Sequence, residues 1–462
     1  MQPPHSLWWS TLAEPVVARR ALKEHLDVDV AVVGGGFTGL WTARELLRRD
    51  PALRVAVLER SVCGFGASGR NGGWASALYP QTDSAVIAHH GQEAFDSLRA
   101  HLRRSVVALG DAIAEDGIDT HYVRGGTLIF ARSELQAQRL ISQVEASREL
   151  GDGPDDLAWL SPEQASERAL VTQTFGATFT PHCARIHPAR LVRGLADVVE
   201  QRGGKIFENT KVTRIISARR GRAAEVVTEG ESVHARVVVR ATEGFTPTLP
   251  GQRRTVAPIY SLMIATDPQS AAFWDEVGFS RYETFADDRH LIVYGQRTTD
   301  GRIAFGGRGA PYHFGSTVEE RFDDSPKVFA LLEETLRELF PSLEGEIAFR
   351  WGGPLAMARD QSPSVVVDHV SGLASAGGYT GDGVVMSYVA ANALADLIVD
   401  PDTQTDVTQL PFAQHRSRRW EVEPLRWLGI NAGLSAANWA DRVEARRGHE
   451  SRAGQLLERF LN

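Results

Sequence analysis

The chain is short of cysteine, lysine and long apolar runs, and each shortage excludes something. Two cysteines, Cys63 and Cys183, cannot build a disulfide framework or a four-thiolate zinc site. No uninterrupted apolar run approaches the ~18 residues that span a bilayer, so no membrane span is expected. No basic start followed by an apolar core marks a secretion signal. The expected compartment is therefore the cytoplasm, with both thiols free. Lysine occurs only at Lys23, Lys205, Lys211 and Lys327, and arginine supplies the rest of the 50 basic residues. Against 58 acids this gives a net charge of −8, which argues against a nucleic-acid binder. The 14 histidines form no H-E-x-x-H and no tight cluster with cysteines or acids, so no metal site is expected. No G-x-S-x-G nucleophile turn occurs.

What is present is an ordinary globular composition, 43% hydrophobic and 23% charged. A length of 462 residues implies about two to three domains. Val28–Val33 reads as a strand and runs into Gly34-Gly35-Gly36-Phe37-Thr38-Gly39, a G-x-G-x-x-G turn. A helix pattern follows, then a second strand, Arg54–Leu58, ending at Glu59 and Arg60. Each part has a job in holding a dinucleotide. Gly34 makes the tight turn, Gly36 lets a pyrophosphate approach, and Gly39 lets helix and strand pack. The helix N-terminus offers free N–H groups to phosphate. Glu59 can accept from both ribose hydroxyls and would repel a 2′-phosphate. Strand, glycines, helix, strand and acid in order fix a dinucleotide without saying which one.

The next glycine-rich run, Gly64-Phe65-Gly66-Ala67-Ser68-Gly69-Arg70-Asn71-Gly72-Gly73 followed by Trp74, presents backbone N–H groups with little side-chain bulk. It suits a second approach to a cofactor longer than NAD. Here the sequence resembles the D-amino-acid-oxidase superfamily of FAD-dependent oxidoreductases, in its γ-glutamylputrescine-oxidase-like branch, where G-F-G-A-S-G-R-N-G-G is a hallmark. The resemblance covers almost the whole chain. It implies that Val212 contacts adenine through its backbone and that Ala241-Thr242 turns over the cofactor. It also implies that Gly378, Gly381, Asp382, Gly383 and Val384 form the last FAD contact, at the start of a helix. Glu243 departs from the small residue or Asn usual after Ala-Thr. Asp382 stands where many relatives carry His, and it reads equally as a plain helix N-cap.

The resemblance implies an interleaved α/β fold. A Rossmann-type FAD domain (26–80, 155–245, 345–400) alternates with a mainly antiparallel β substrate domain (81–154, 246–344). An N-terminal arm (1–25) and a C-terminal tail (401–462) flank them, and their tryptophans are expected to pack on the body or on a second subunit. The implied reaction removes a hydride from the carbon beside an amine nitrogen and gives an imine, with non-covalent FAD taking the electrons. Arg308, flanked by glycines at a strand end, is the candidate anchor for a substrate carboxylate, though it reads equally as a surface Arg in a turn. Tyr260 and Tyr312 could bond substrate or sit in the core, and Trp74 could wall the site. Arg70 is expected in the flavin region. No lysine falls in a flavin-facing motif, which leaves O2 or another electron acceptor open. Two further readings stand beside this one: dehydrogenation of a cyclic or N-alkyl amine in specialised metabolism, and a flavoprotein whose FAD is not catalytic. A homodimer is compatible with all three.

Overall fold

The computed structural model describes residues 5–219, 221–447, 449 and 451, apart from the side chains of Arg308 and Arg447. The ends of the N-terminal arm (1–4) and of the tail (452–462) lie outside the described residues.

Strand Leu26–Val33 is central in the first sheet because its valines are buried on both faces. It pairs in parallel with Val55–Leu58 and with Ser232–Arg240. Lys205–Phe207 and Leu373–Gly377 extend the parallel run on either side, and Ser364–Asp368 closes one edge antiparallel. A parallel sheet needs cover on both faces. Val30, Val32, Val55 and Val57 face helices Phe37–Arg49, Gln92–Glu115, Pro188–Gln201 and Gly383–Val399 in one core. Ala31, Val33 and Ala56 pack with Val226 and Ala224 of the hairpin Val212–Ile216 and Ala224–Thr228. The alternation between the two cores is the period of two expected of strands.

The second sheet also has eight strands. In order they are Ile347–Met357, Ala257–Thr266, Ile303–Arg308, Val293–Arg297, Thr284–Asp287, Thr127–Phe130, Ala177–Thr180 and Ala158–Leu160. All neighbours are antiparallel except Thr284–Asp287 with Thr127–Phe130. Helix Pro326–Leu339 covers one face through Phe329, Leu332 and Leu336. A two-stranded ribbon, Trp74–Ser76 with Cys183–Arg185, is separate from both sheets.

The chain crosses between the layers more often than the sequence division allows. Strands Ala158–Leu160, Ala177–Thr180 and Ile347–Met357 fall in ranges assigned to the FAD domain, yet they hydrogen-bond into the second sheet. Helix Gln92–Glu115 falls in a range assigned to the substrate domain, yet its apolar stripe, Phe95, Leu98, Leu102 and Val106, packs in the parallel-sheet core. The reason is physical: periodicity marks an element's apolar face but not the layer that receives it. The arm packs as expected. Trp8 and Trp9 are buried, and Trp8 Nε1 donates to Asn71 O at 2.8 Å. In the tail Trp420 is buried and donates to Met357 O, while Trp427 and Trp439, on helix Leu425–Arg447, are exposed.

Candidate cofactor cleft and substrate site

A cleft of about 1200 Å³ collects segments from four distant parts of the chain. From the first glycine turn come Gly34, Gly36, Phe37 and Thr38; from the end of the second strand, Glu59 and Arg60; from the second glycine run, Gly66, Ala67, Ser68 and Asn71. Val212, Ala241, Thr242, Gly381, Gly383 and Val384 complete the expected set that lines it.

The local geometry explains the glycines. Gly34 has φ +111°, and a Cβ there would stand 2.4 Å from Ala241 O, so an L side chain is barred twice. Helix Phe37–Arg49 begins at Gly36 with no side-chain cap; only Phe37 N–H is bonded by a side chain, donating to Ser68 Oγ at 2.8 Å. Helix Gly383–Val399 likewise begins without a side-chain cap, and its first turn also lines the cleft. Two helix N-termini therefore direct N–H groups and positive dipole ends into one space, which suits a pyrophosphate. Glu59 accepts from Gly35 N and Ser61 N, each at 2.8 Å, and burial raises its pKa above the ordinary carboxylate value.

Six expected cofactor residues are not in the cleft lining. Gly39 packs under Gly34, where a Cβ would strike the Gly34 carbonyl. Gly72 and Gly73 lie against Tyr294 and Gln296. Gly378 donates its N–H to Glu243 at 3.0 Å. Asp382 holds the N-cap position of the last helix without a side-chain capping bond. Arg70 is buried and ties the glycine run to the second sheet, donating to Asp323 Oδ2 at 2.6 Å and Gly352 O at 2.8 Å.

The four candidate substrate residues are spread over the second sheet, the turn that follows Arg308 and the Trp74–Ser76 ribbon. Arg308 pairs in register with Ser261, whose other partner is Gly353. A Cβ on Gly353 would lie 3.2 Å from Arg70 Cζ, so this register position faces the second glycine run. The Arg308 side chain lies outside the description. Tyr260 is fully buried in the sheet core with its hydroxyl against the Glu319 backbone. Tyr312 is equally buried, donating to Glu423 Oε1 at 2.8 Å. Trp74 is half-buried, donating to Gly295 O at 3.2 Å.

Sequence reasoning missed several lining residues, among them Phe245, Pro354, Leu355 and Tyr379. Pro354 and Leu355 belong to a strand of the other sheet, whose apolar pattern gives no functional sign. Glu243 was visible only as a departure from the family pattern. It lines the cleft and accepts from Gly378 N and Tyr379 N, and burial pushes its carboxyl up to about 7 against those bonds and the nearby Arg240. The sequence also showed no His–acid cluster, whereas the fold brings His25, Asp27 and His234 within 4.8 Å of one another on the surface. Asp27 and His234 are register partners on neighbouring strands, which no sequence spacing reveals.

A family model described as FAD dependent oxidoreductase matches residues 29–397. The chain belongs to that family. It is 28% identical over 423 residues to the gamma-glutamylputrescine oxidoreductase of Escherichia coli, covering 90% of this chain and 94% of that one. The glycine oxidase of Geobacillus kaustophilus is 25% identical over 394 residues, 84% of this chain and 97% of that one. A crystal structure of glycine oxidase from the same organism superposes with a TM-score of 0.70 at 23% identity, covering 84% of this chain and 99% of that one. The protein is thus an FAD-dependent oxidoreductase with the fold of these flavoenzymes. The residues present fit FAD: two helix N-termini without side-chain caps suit the pyrophosphate, the Glu59 carboxylate at the end of the second strand suits a ribose, and glycines of both runs line the cleft. Among the described residues, no helix is long and apolar enough to cross a membrane.

Proposed function

We propose that the enzyme oxidises the C–N bond of a small amine or amino acid to an imine. Bound FAD supplies the two-electron acceptor for the hydride. The observation that carries this reading is the single cleft walled by the first glycine turn, the second glycine run, the Ala241–Phe245 turn and the last helix. Relatives carrying the same framework act on an amine and on glycine, by their names.

In this proposal Gly34, Gly36, Thr38, Glu59, Ser68, Val212, Ala241, Thr242 and Gly383 hold the cofactor. Arg70, Gly39, Gly72, Gly73, Gly378 and Asp382 shape the backbone around it. Among the described lining residues there is no cysteine or histidine, which supports dissociable FAD. Cys63 is fully buried, and burial raises its thiol pKa well above the ordinary value, so it is no nucleophile. Arg308, at the register position facing the second glycine run, is the proposed carboxylate anchor, and Trp74 a wall of the site. Tyr260 acts at a distance, fixing the Glu319 turn. Dioxygen or another oxidant takes the electrons, and the cytoplasm is the proposed compartment. The exposed Trp427, Leu428 and Trp439 support a homodimer.

The reading for cyclic or N-alkyl amines is favoured by Pro354 and Leu355, which make one wall of the cleft apolar. Anaerobic mixing of flavin-loaded enzyme with a panel of primary, N-alkyl and cyclic amines and amino acids tests the proposal. Loss of the visible absorbance of oxidised flavin with at least one amine is expected. Arg308→Ala should raise KM at least tenfold for carboxylated substrates and leave it unchanged for simple amines. Flavin that no amine bleaches would contradict the proposal.

A further inference from the structure

A second recess lies between the N-terminal arm, the start of helix Pro188–Gln201 and the turn at Thr298–Asp300. It holds about 820 Å³ and shares no lining residue with the cofactor cleft. Three buried polar atoms of its walls have no hydrogen-bond partner: Arg185 Nε, Arg190 Nε and Gln296 Oε1. Orphaned buried polar atoms are rare in folded proteins, and three in one recess call for an occupant.

The charge pattern says what kind. Arg185 is 4% exposed, its Nη1 donates to Thr299 Oγ1 at 2.9 Å, and its guanidinium lies 4.0 Å from the Tyr282 ring centre. Burial lowers its pKa to about 10, which leaves it charged at neutral pH. Among the described residues no carboxylate lies within ion-pair distance of it. Of the other charges nearby, Arg190 pairs with Asp119 at 2.6 Å and Asp300 with Arg302 at 2.8 Å, while Arg297, outside the recess lining, lies over Trp274 and donates to Gly278 O. His187 is neutral, with Nδ1 accepting from Arg190 N and Nε2 donating to Thr11 Oγ1, which in turn donates to Leu7 O. The recess therefore contains one uncompensated buried cation, an arrangement that is costly without an anion. Gln296 is fixed beside it: Nε2 donates to Gly72 O at 2.6 Å and Ile186 O at 3.3 Å, so Oε1 is held as an acceptor.

We propose that this recess binds a small organic carboxylate. Arg185 is its counter-ion, and Gln296 Oε1 accepts from a hydroxyl or amino group on the same ligand. One unpaired guanidinium matches one negative charge, whereas a phosphate dianion asks for two. The site is separate from the cofactor cleft, so its test does not pass through catalysis.

The test is calorimetric titration of the flavin-loaded enzyme at low ionic strength with lactate, acetate and inorganic phosphate, on wild type, Arg185→Gln and Thr299→Val. Lactate should bind saturably and more tightly than acetate or phosphate. Arg185→Gln should weaken lactate at least tenfold. Thr299→Val, an exposed substitution that removes the bond holding the Arg185 guanidinium in place, should weaken it several-fold and answers the question if Arg185→Gln fails to fold. Absence of saturable lactate binding, or equal binding by wild type and the variants, would overturn the site. Phosphate binding more tightly than lactate would overturn the carboxylate assignment.

Discussion

The hydroxyls of Thr38 and Tyr379 stand 3.0 Å apart, although 341 residues separate them in the chain. Thr38 lies in the first turn of the helix after the first glycine motif, and Tyr379 just before the last helix. Their bond ties together the two helix N-termini that face the cleft. Tyr379→Phe removes it and leaves the buried Thr38 hydroxyl without that partner. A loss of about 1–2 kcal/mol is expected in urea unfolding. FAD should dissociate several-fold more readily, as read by fluorescence of released flavin.

Glu243 gives the cleft a pH dependence. Its pKa, pushed up to about 7 mainly by burial, lies above its ordinary 4.5. The folded protein keeps a proton that the unfolded chain releases above the ordinary value. Glu243 therefore contributes stability that is fully present below pH 4.5 and is lost as pH rises through 7. In flavin-free protein, melting temperatures of wild type and Glu243→Gln should diverge as pH rises from 4.5 to 7. The corresponding stability difference should amount to on the order of 3 kcal/mol. Parallel profiles would show that Glu243 is ionised throughout.

Gly34→Ala places a methyl group against the Ala241 carbonyl at a backbone angle unsuited to alanine. The strands Leu26–Val33 and Ser232–Arg240, which meet there, must part. A loss of about 2 kcal/mol or more is expected, and the variant should purify with little bound flavin. The absorbance ratio of flavin to protein checks this.

Arg70 and Asp323 join the second glycine run to the second layer. Burial pushes the Asp323 carboxyl up, with Arg70 opposing. Arg70→Met leaves that carboxylate without its cation, at a cost of about 3 kcal/mol. The double variant Arg70→Met, Asp323→Leu should recover much of that loss. Denaturant titration of the cycle separates the pair from the packing.

Much of the cleft was legible because its chemistry is written in local order. Gly34, Gly36, Glu59 and the run from Gly66 to Asn71 owe their roles to backbone shape and short spacing. Arg70 was placed near the flavin but not against Asp323, because the partner is 253 residues away. Pro354 and Leu355 were missed because their strand belongs to the other sheet. Tyr260 carries a polar tip that reads as a site residue, yet the Glu319 backbone satisfies it within the core. Long-range pairing, rather than residue type, is what separates these cases.

The central claim is that one cleft holds FAD along its whole length, adenine half included. Titration of the flavin-free protein with FAD and with FMN, followed by flavin fluorescence and melting temperature, tests it most directly. Saturable FAD binding that raises the melting temperature is expected, with FMN at least a hundredfold weaker. Equal affinity for the two flavins, or a colourless protein that FAD neither binds nor stabilises, would contradict it.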